Sequence, residues 1–288
     1  MSDIFDIYLL EAVLNGLLLG GLFALLSLGL NLVFGVIDVV WICYAELIMC
    51  GMYGVYYLHV QYHWPLLLAM AASVGIVAFL GWLLHQVVIR PVLNAEPINQ
   101  LLVTGGVLFF LQAAATLVFG IEFRNLGVTL PSVRLGEMSF SAARLVAFGA
   151  ALGGVIALYL FLTRTYLGTA IRAISQDRAI MPLMGVDPAR IFALTSALGG
   201  ALAGLGACLL VLQYDVHPAI GLSFGPITFL ICVLGGLGNM VGGFIAAFVF
   251  AQFIAVGGFF FAVEWGYVIA FVFFIAVMFW RPRGILGK

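Results

Sequence analysis

Charge is what this 288-residue chain has least of: 11 lysines and arginines and 12 aspartates and glutamates, 8% of the sequence. A soluble domain builds its surface from about a quarter charged residues, so a water-facing globule is excluded. Lysine occurs once, as Lys288, and no arginine precedes Arg90. With a net charge of −1 and so few bases, the chain has no patch to hold nucleic acid. Cysteine is sparse too. Cys43, Cys50, Cys208 and Cys232 fall inside apolar stretches without metal-ligand spacing, so they read as packing residues. Neither His59 nor His63 has metal-site company. A cleavable leader is not expected either: MSDIFDIYLLEAVLNG opens acidic where a signal peptide opens basic.

Apolar sequence fills the rest. The chain is 65% hydrophobic with a mean hydropathy of +1.24. An apolar helix of about 20 residues crosses the hydrocarbon layer, and several such runs occur with short breaks between them. They lack the period-two alternation of barrel strands, and lipid cannot hydrogen-bond an open backbone. The expected fold is an all-α polytopic membrane protein. Runs near 8–34, 42–58, 65–88, 99–120, 143–163, 190–213, 223–240, 243–262 and 266–280 give eight or nine full or partial crossings. The second and seventh runs are short and begin beside Asp38 and Asp215, the mark of a broken or re-entrant element.

Positive residues gather at Arg90, at Arg164 to Arg190, and at Arg281, Arg283 and Lys288, which assigns those segments to the cytoplasm. Alternation then leaves the N-terminus, 59–65, 121–142 and 214–221 outside. Segment 121–142 strains the rule, for Arg124 and Arg134 lie in it, accompanied by Glu122 and Glu137. Segments 8–58 and 190–240 share an order: a long helix rich in glycine, alanine and leucine, a short acidic break, a shorter helix. With 143–163 as connector, halves at about 8–120 and 190–280 would enter the membrane in opposite senses. Such an inverted-topology repeat puts a pathway at the repeat interface. Gly16/Gly20, Gly199/Gly200/Gly204 and LGGLGNMVGG (234–243) suit close helix packing, with or without a pathway.

One polar island interrupts this pattern. Residues 167–191 read LGTAIRAISQDRAIMPLMGVDPARI. Asp187-Pro188 is a helix start, the aspartate as cap and the proline at the first helical position. Upstream, Thr169 to Ile180 reads as a short amphipathic helix with Ile171, Ile174 and Met181 on one side, ended by Pro182. Such a helix lies on lipid or docks into a groove on a partner. A lipid-surface helix carries several lysines and this one has none, which favours docking.

These residues carry a resemblance. AIRAISQDRAIMPLMGVDPARI resembles the cytoplasmic coupling loop of ABC-importer permeases, with Ala173, Asp177, Ala179 and Gly185 in matching places. The opening NGLLLGGLFALLSLGLNLVFGVI (15–37), VLGGLGNMVGG (233–243) and the ending WRPRGILGK (280–288) are similar to permease subunits of branched-chain, or hydrophobic, amino-acid uptake ABC transporters. The likeness covers nearly the whole chain as one permease domain, residues 1–288, with 164–190 as the coupling loop. It implies a pair of permease subunits, by family precedent two different chains, in the bacterial cytoplasmic membrane. It also implies two cytoplasmic ATPases that bind ATP and magnesium, and an external substrate-binding protein. This chain would hold no cofactor and no ATPase site, in keeping with the lack of a Gly-x-x-x-x-Gly-Lys-Ser/Thr loop. Arg172, Asp177, Arg178, Met184 and Gly185 would then transmit ATPase closure to the spans.

Candidate pathway residues lie at the breaks. A carboxylate at the bilayer centre costs about 2.5–3.5 kcal/mol on insertion scales, so Asp38 and Glu46 are expected to face a cavity or a partner. Asp38 has the alternative of capping the second segment. Where the resembling family commonly reads Asn-Phe-Ala-His-Gly-Glu, this chain reads Trp41-Ile42-Cys43-Tyr44-Ala45-Glu46. The glutamate is kept, while Trp41 and Tyr44 replace compact polar groups with rings that stack on a ligand or pack against neighbouring helices. Asp215, His217 and Asn239 hold the corresponding places in the second half. His85 is expected to pack or hydrogen-bond within its span, and Glu264-Trp265 suits an external interface. Two other readings explain buried carboxylates: a passive metabolite channel and an ion-coupled secondary transporter. No nucleophile–base or metal constellation supports an embedded enzyme.

Overall fold

A computed structural model describes residues 2–128, 131–135, 138–178 and 180–287. Ala179, Glu137 and Lys288, which entered the sequence argument, lie outside the described residues. Among the described residues the regular structure is helical apart from one hairpin and an isolated bridge between Arg124 and Val216. Helix α1 spans Ser2–Ile37, and α2 spans Tyr44–Tyr56 and runs on through a π-helical turn at Tyr57–Gln61. Helix α3 spans Leu66–Leu84 with a similar tail at His85–Ile89 and a last turn at Arg90–Val92, and α4 spans Pro97–Phe119. Strands β1 (Ser132–Leu135) and β2 (Met138–Ser141) pair antiparallel, Ser132 opposite Ser141. Then come α5 (Ala142–Arg164), α6 (Tyr166–Gln176), a 3-10 turn at Met181–Met184, α7 (Pro188–Leu210), α8 (Ile220–Gly235), α9 (Met240–Phe260) and α10 (Val263–Trp280).

Six of these helices are long and apolar enough to cross a membrane: α1, α3 with its tail, α4, α5, α7 and α9. Helices α8 and α10 are shorter and equally apolar. The spans divide by what surrounds them. Helix α1 and helix α7 are mostly buried, as helices apolar on every side must be if they line a protein interior. Helices α3, α4 and α5 instead present Phe79, Phe109, Phe110, Leu117 and Tyr159 outward, an apolar belt suited to lipid.

Close packing rests on small residues. Helix α3 crosses α7 where Gly81 meets Gly200; a methyl group on Gly200 would lie 2.6 Å from the carbonyl oxygen of Val77. Only glycine at both positions lets the two backbones approach so closely. One polar pair bridges this seam: His85 and Ser196 lie 3.0 Å apart, ring Nδ1 to hydroxyl. The Ser73 hydroxyl of α3 instead donates to the Gly51 carbonyl of α2 at 2.7 Å.

Several elements depart from the sequence expectation. The seventh span begins at Ile220 and ends at Gly235, not 223–240, because Gly236 and Gly238 take positive φ and turn the chain into α9. The amphipathic helix ends at Gln176, four residues before Ile180. There the Asp177 carboxylate accepts the Ile180 backbone N–H at 3.3 Å and holds a turn instead. It also begins earlier, at Tyr166, capped by the Thr165 hydroxyl.

Candidate functional site

Both chain breaks are held by hydrogen bonds, some local and some from distant parts of the chain. At the first, Asp38 ends α1, its N–H bonded to the Phe34 carbonyl at 2.8 Å, and takes a left-handed conformation with φ of 61°. Residues 39–43 then run back into the protein, and the Thr104 hydroxyl on α4 holds the Val40 carbonyl at 2.9 Å. A tight turn, Tyr44 N–H to the Trp41 carbonyl, opens α2. Asp38 therefore does not cap α2. Cys43 is the residue at that cap, without a side-chain bond, and the break lies between.

Glu46 sits in the first turn of α2, fully buried, against the first turn of α8. A methyl group on Gly221 would approach Glu46 Oε1 to 2.9 Å. Neither carboxylate oxygen has a hydrogen-bond partner among the described residues. Two short helices thus begin side by side in the interior, with a bare carboxyl group between them. Trp41 and Tyr44 are buried next to it and meet edge to face at 5.9 Å. The Tyr44 hydroxyl donates to the Leu26 carbonyl of α1 at 3.1 Å. The rings pack against α1 and α7, and neither lines the cavities described below.

At the α1 end of the molecule lies a cavity of about 750 Å³. Asn31 and Asp38 form one wall, Gly238 a second, and Arg172, Asp177 and Arg178 a third. Pathway and coupling residues, separate classes in the sequence argument, therefore share one polar space. Asn31 carried no sequence signal beyond being an amide inside an apolar span. It is fully buried, its Oδ1 accepts the Gly238 N–H at 3.1 Å, and its Nδ2 has no partner among the described residues. Asn239 stands just outside this cavity as the α9 cap: its Oδ1 accepts the Gly242 N–H at 3.0 Å and its Nδ2 donates to the Leu286 carbonyl.

Helix α6 closes the third wall. Ile171 and Ile174 are buried beneath it, and Gly168 lies so close to Phe161 and Leu162 that no side chain fits there. Beyond the helix, Leu183 and Met184 are 84% and 74% exposed, an apolar knob at the tip of the segment. Gly185 follows with φ of 78°, a conformation that other residues adopt only under strain. Asp187 then caps α7 through the Ala189 N–H at 3.0 Å, with Pro188 at the first helical position. Arg178 lies over the Phe192 ring at 5.6 Å.

The opposite end is bolted. The Arg124 guanidinium donates to the Tyr57 hydroxyl at 2.5 Å and the Phe119 carbonyl at 2.6 Å, and lies over the rings of Tyr56 and Tyr57. Its backbone pairs with Val216 in both directions. Beside it the Asn125 amide donates to Asp215 at 2.6 Å, and the Phe123 and His217 rings meet at 4.6 Å, tilted by 45°. Burial pushes the His217 imidazole below its ordinary range, against a weaker upward pull from Asp215. Sequence reading treated Arg124 only as a topological charge. Its role as a bolt depends on contacts more than sixty residues away.

A long-helix bundle with paired interior breaks, a polar cavity at one end and an amphipathic segment beside it defines a membrane transport subunit. The model for the branched-chain amino acid transport system, permease component, matches residues 12–278, and the chain belongs to that family. It is similar to the high-affinity branched-chain amino acid transport system permease protein BraD of Pseudomonas aeruginosa, 30% identical over 97% of this chain and 96% of that protein. It is 29% identical to LivH of Escherichia coli, a permease protein of the same description, over 100% of this chain and 98% of that one. Among solved structures, PsaBC from Streptococcus pneumoniae in complex with Fab shares the fold. It does so with a TM-score of 0.55 and 12% identity over 98% of this chain and 97% of that one. The chain is thus a multi-pass membrane permease component and not an ATPase.

Proposed function

We propose that this chain forms half of the membrane pathway of an ATP-driven importer of amino acids with apolar side chains. It pairs with a related but different permease, sits on two cytoplasmic ATPases and receives substrate from an external binding protein. The face with Arg90, α6, Arg281 and Arg283 is cytoplasmic and the N-terminus is outside, in a bacterial inner membrane. The chain itself holds no cofactor. ATP and magnesium belong to the ATPases.

Helices α1–α4 and α7–α10 act as inverted halves. Their packing is reciprocal: α1 packs on α9 as α7 packs on α3, α2 on α3 as α8 on α9, and α1 on α8 as α7 on α2. Substrate passes between the halves, past Glu46 and the Trp41 and Tyr44 rings, to the cavity at Asp38; Asp215 marks the outer turn of that route, and Asn239 caps the helix just outside the cavity. Helix α6 with its tip is the coupling element, and one observation carries this reading. Its inner face is buried against the spans by Ile171 and Ile174, while Leu183 and Met184 stand bare at the tip. A segment anchored on one side and apolar on the other is built to seat in a groove of a partner.

Reconstituted complex tests it. Leu183→Asp with Met184→Asp, or Gly185→Val, is expected to lower ATP-driven uptake of leucine or phenylalanine at least tenfold while the permease remains folded. Arg178→Ala is expected to loosen coupling, so that ATP is hydrolysed with less uptake per turnover. Full uptake by these variants, or uptake undiminished without nucleotide, would refute the coupling role.

A further inference from the structure

A second cavity, of about 520 Å³, opens at the bolted end of the chain. Its volume falls within the range of about 300–1,000 Å³ in which small-molecule sites occur. Five elements shape it: the first turns of α1, the start of α5, the loop after α7, the end of α9 and the start of α10. Leu18, Leu22 and Ile254 form an apolar floor. Around the rim stand Glu11, Arg144 and Gln213. Asn15 Oδ1 accepts a hydrogen bond from Arg144 Nη1 at 2.9 Å, which orients the guanidinium; among the described residues its other N–H groups have no hydrogen-bond partner. Glu11 forms no ion pair among the described residues.

We propose that this cavity is an outer landing site for a zwitterionic α-amino acid. Arg144 takes the carboxylate, Glu11 takes the ammonium group, and the apolar floor receives the side chain. The arrangement answers the chemistry term by term. A fatty acid would need the cation alone and an amine the anion alone, whereas this lining offers one of each beside the apolar side chains of Leu18, Leu22 and Ile254. Guanidinium and carboxylate each recognise their counterpart through charge-assisted hydrogen bonds, the stronger class of such contacts. The inference rests on the proposed direction of transport, in which this end receives the substrate.

The test uses the assembled transporter in nanodiscs, with L-leucine, isoamylamine and 4-methylpentanoate as probes. The amine lacks the carboxylate of leucine, and the acid lacks its ammonium group. Wild type is expected to prefer leucine strongly over both. Arg144→Gln should raise the KM for leucine about tenfold or more with little change in kcat, and should narrow its advantage over isoamylamine. Glu11→Gln should do the same with respect to 4-methylpentanoate. Radiolabelled leucine binding to the permease pair without its binding protein supplies a second readout and should fall in both variants. If wild type transports leucine and both variants keep its KM and selectivity, the landing site is wrong and the importer reading survives. If wild type takes up none of the panel, the importer reading itself fails. Copurified phospholipid that is released by Arg144→Gln, with unchanged leucine KM, would assign the cavity to lipid and overturn the proposal.

Discussion

The two chain breaks make the most instructive comparison in this molecule. Each follows a long buried helix, contains an aspartate and leads into a short helix whose first turn meets the other at Glu46 and Gly221. Their surroundings differ sharply. At the Asp215 break every neighbour is engaged: Asn125 holds the carboxylate, Arg124 pairs with Val216, and Phe123 covers His217. At the Asp38 break the aspartate stands in a left-handed turn and faces a cavity of about 750 Å³. One break is held by these contacts and the other faces open space. In the pathway we propose, these roles exchange, and the contacts at the Asp215 break are the ones that have to be undone.

Substitutions that ask whether the two ends are unequal differ in expected size. Gly81→Leu should have the greatest effect, since even a single added carbon would lie 2.6 Å from the Ser196 carbonyl oxygen at the α3–α7 crossing. Overpacking of this kind costs about 1–3 kcal/mol and here displaces backbone, so thermal denaturation in detergent should show a marked loss of stability. Next comes Arg124→Ala. It removes two part-buried charge-assisted hydrogen bonds and the cover over two tyrosine rings, and leaves the backbone in place. Tyr53 is buried on α2 and stacks on Phe119 at 4.2 Å, next to the Arg124 contacts. Arg124→Ala should increase labelling of a Tyr53→Cys variant by an impermeant maleimide, while the equivalent change at the open end, Asp38→Ala, should not.

Asn31→Leu is expected to cost about 1–3 kcal/mol, because the part-buried Gly238 N–H loses the Asn31 side-chain carbonyl as its acceptor. Asp187→Ala should cost about 1 kcal/mol through loss of the α7 cap. Arg190→Ala should be nearly silent, since its 3.2 Å pair with Asp187 is exposed to solvent.

Much of the plan was readable before any coordinates. The apolar runs locate the spans, and the helix start at Asp187-Pro188 is local chemistry that does not depend on distant neighbours. The glycine pairs also signalled close crossings, although the partners, Gly81 with Gly200 and Gly16 with Gln252 and Ala255, come only from the fold. Glu46 announced itself as a carboxyl group in an apolar run. Asn31, Gly221 and Arg124 did not: an amide, a glycine and an arginine in a loop acquire meaning only from residues more than sixty positions away. Trp41 and Tyr44 illustrate the same limit. Their rings were legible as bulky, but the tie from the Tyr44 hydroxyl to the Leu26 carbonyl is a tertiary fact.

Accessibility measured from both sides in one complex tests the account most directly. Asp38→Cys and Tyr53→Cys permeases, assembled with their ATPases, would be labelled with an impermeant maleimide with and without a non-hydrolysable ATP analogue. The account predicts that position 38 reacts without nucleotide and becomes protected when the analogue binds, while position 53 changes in the opposite sense. Labelling at both positions that ignores the nucleotide, or that rises and falls together, would contradict it.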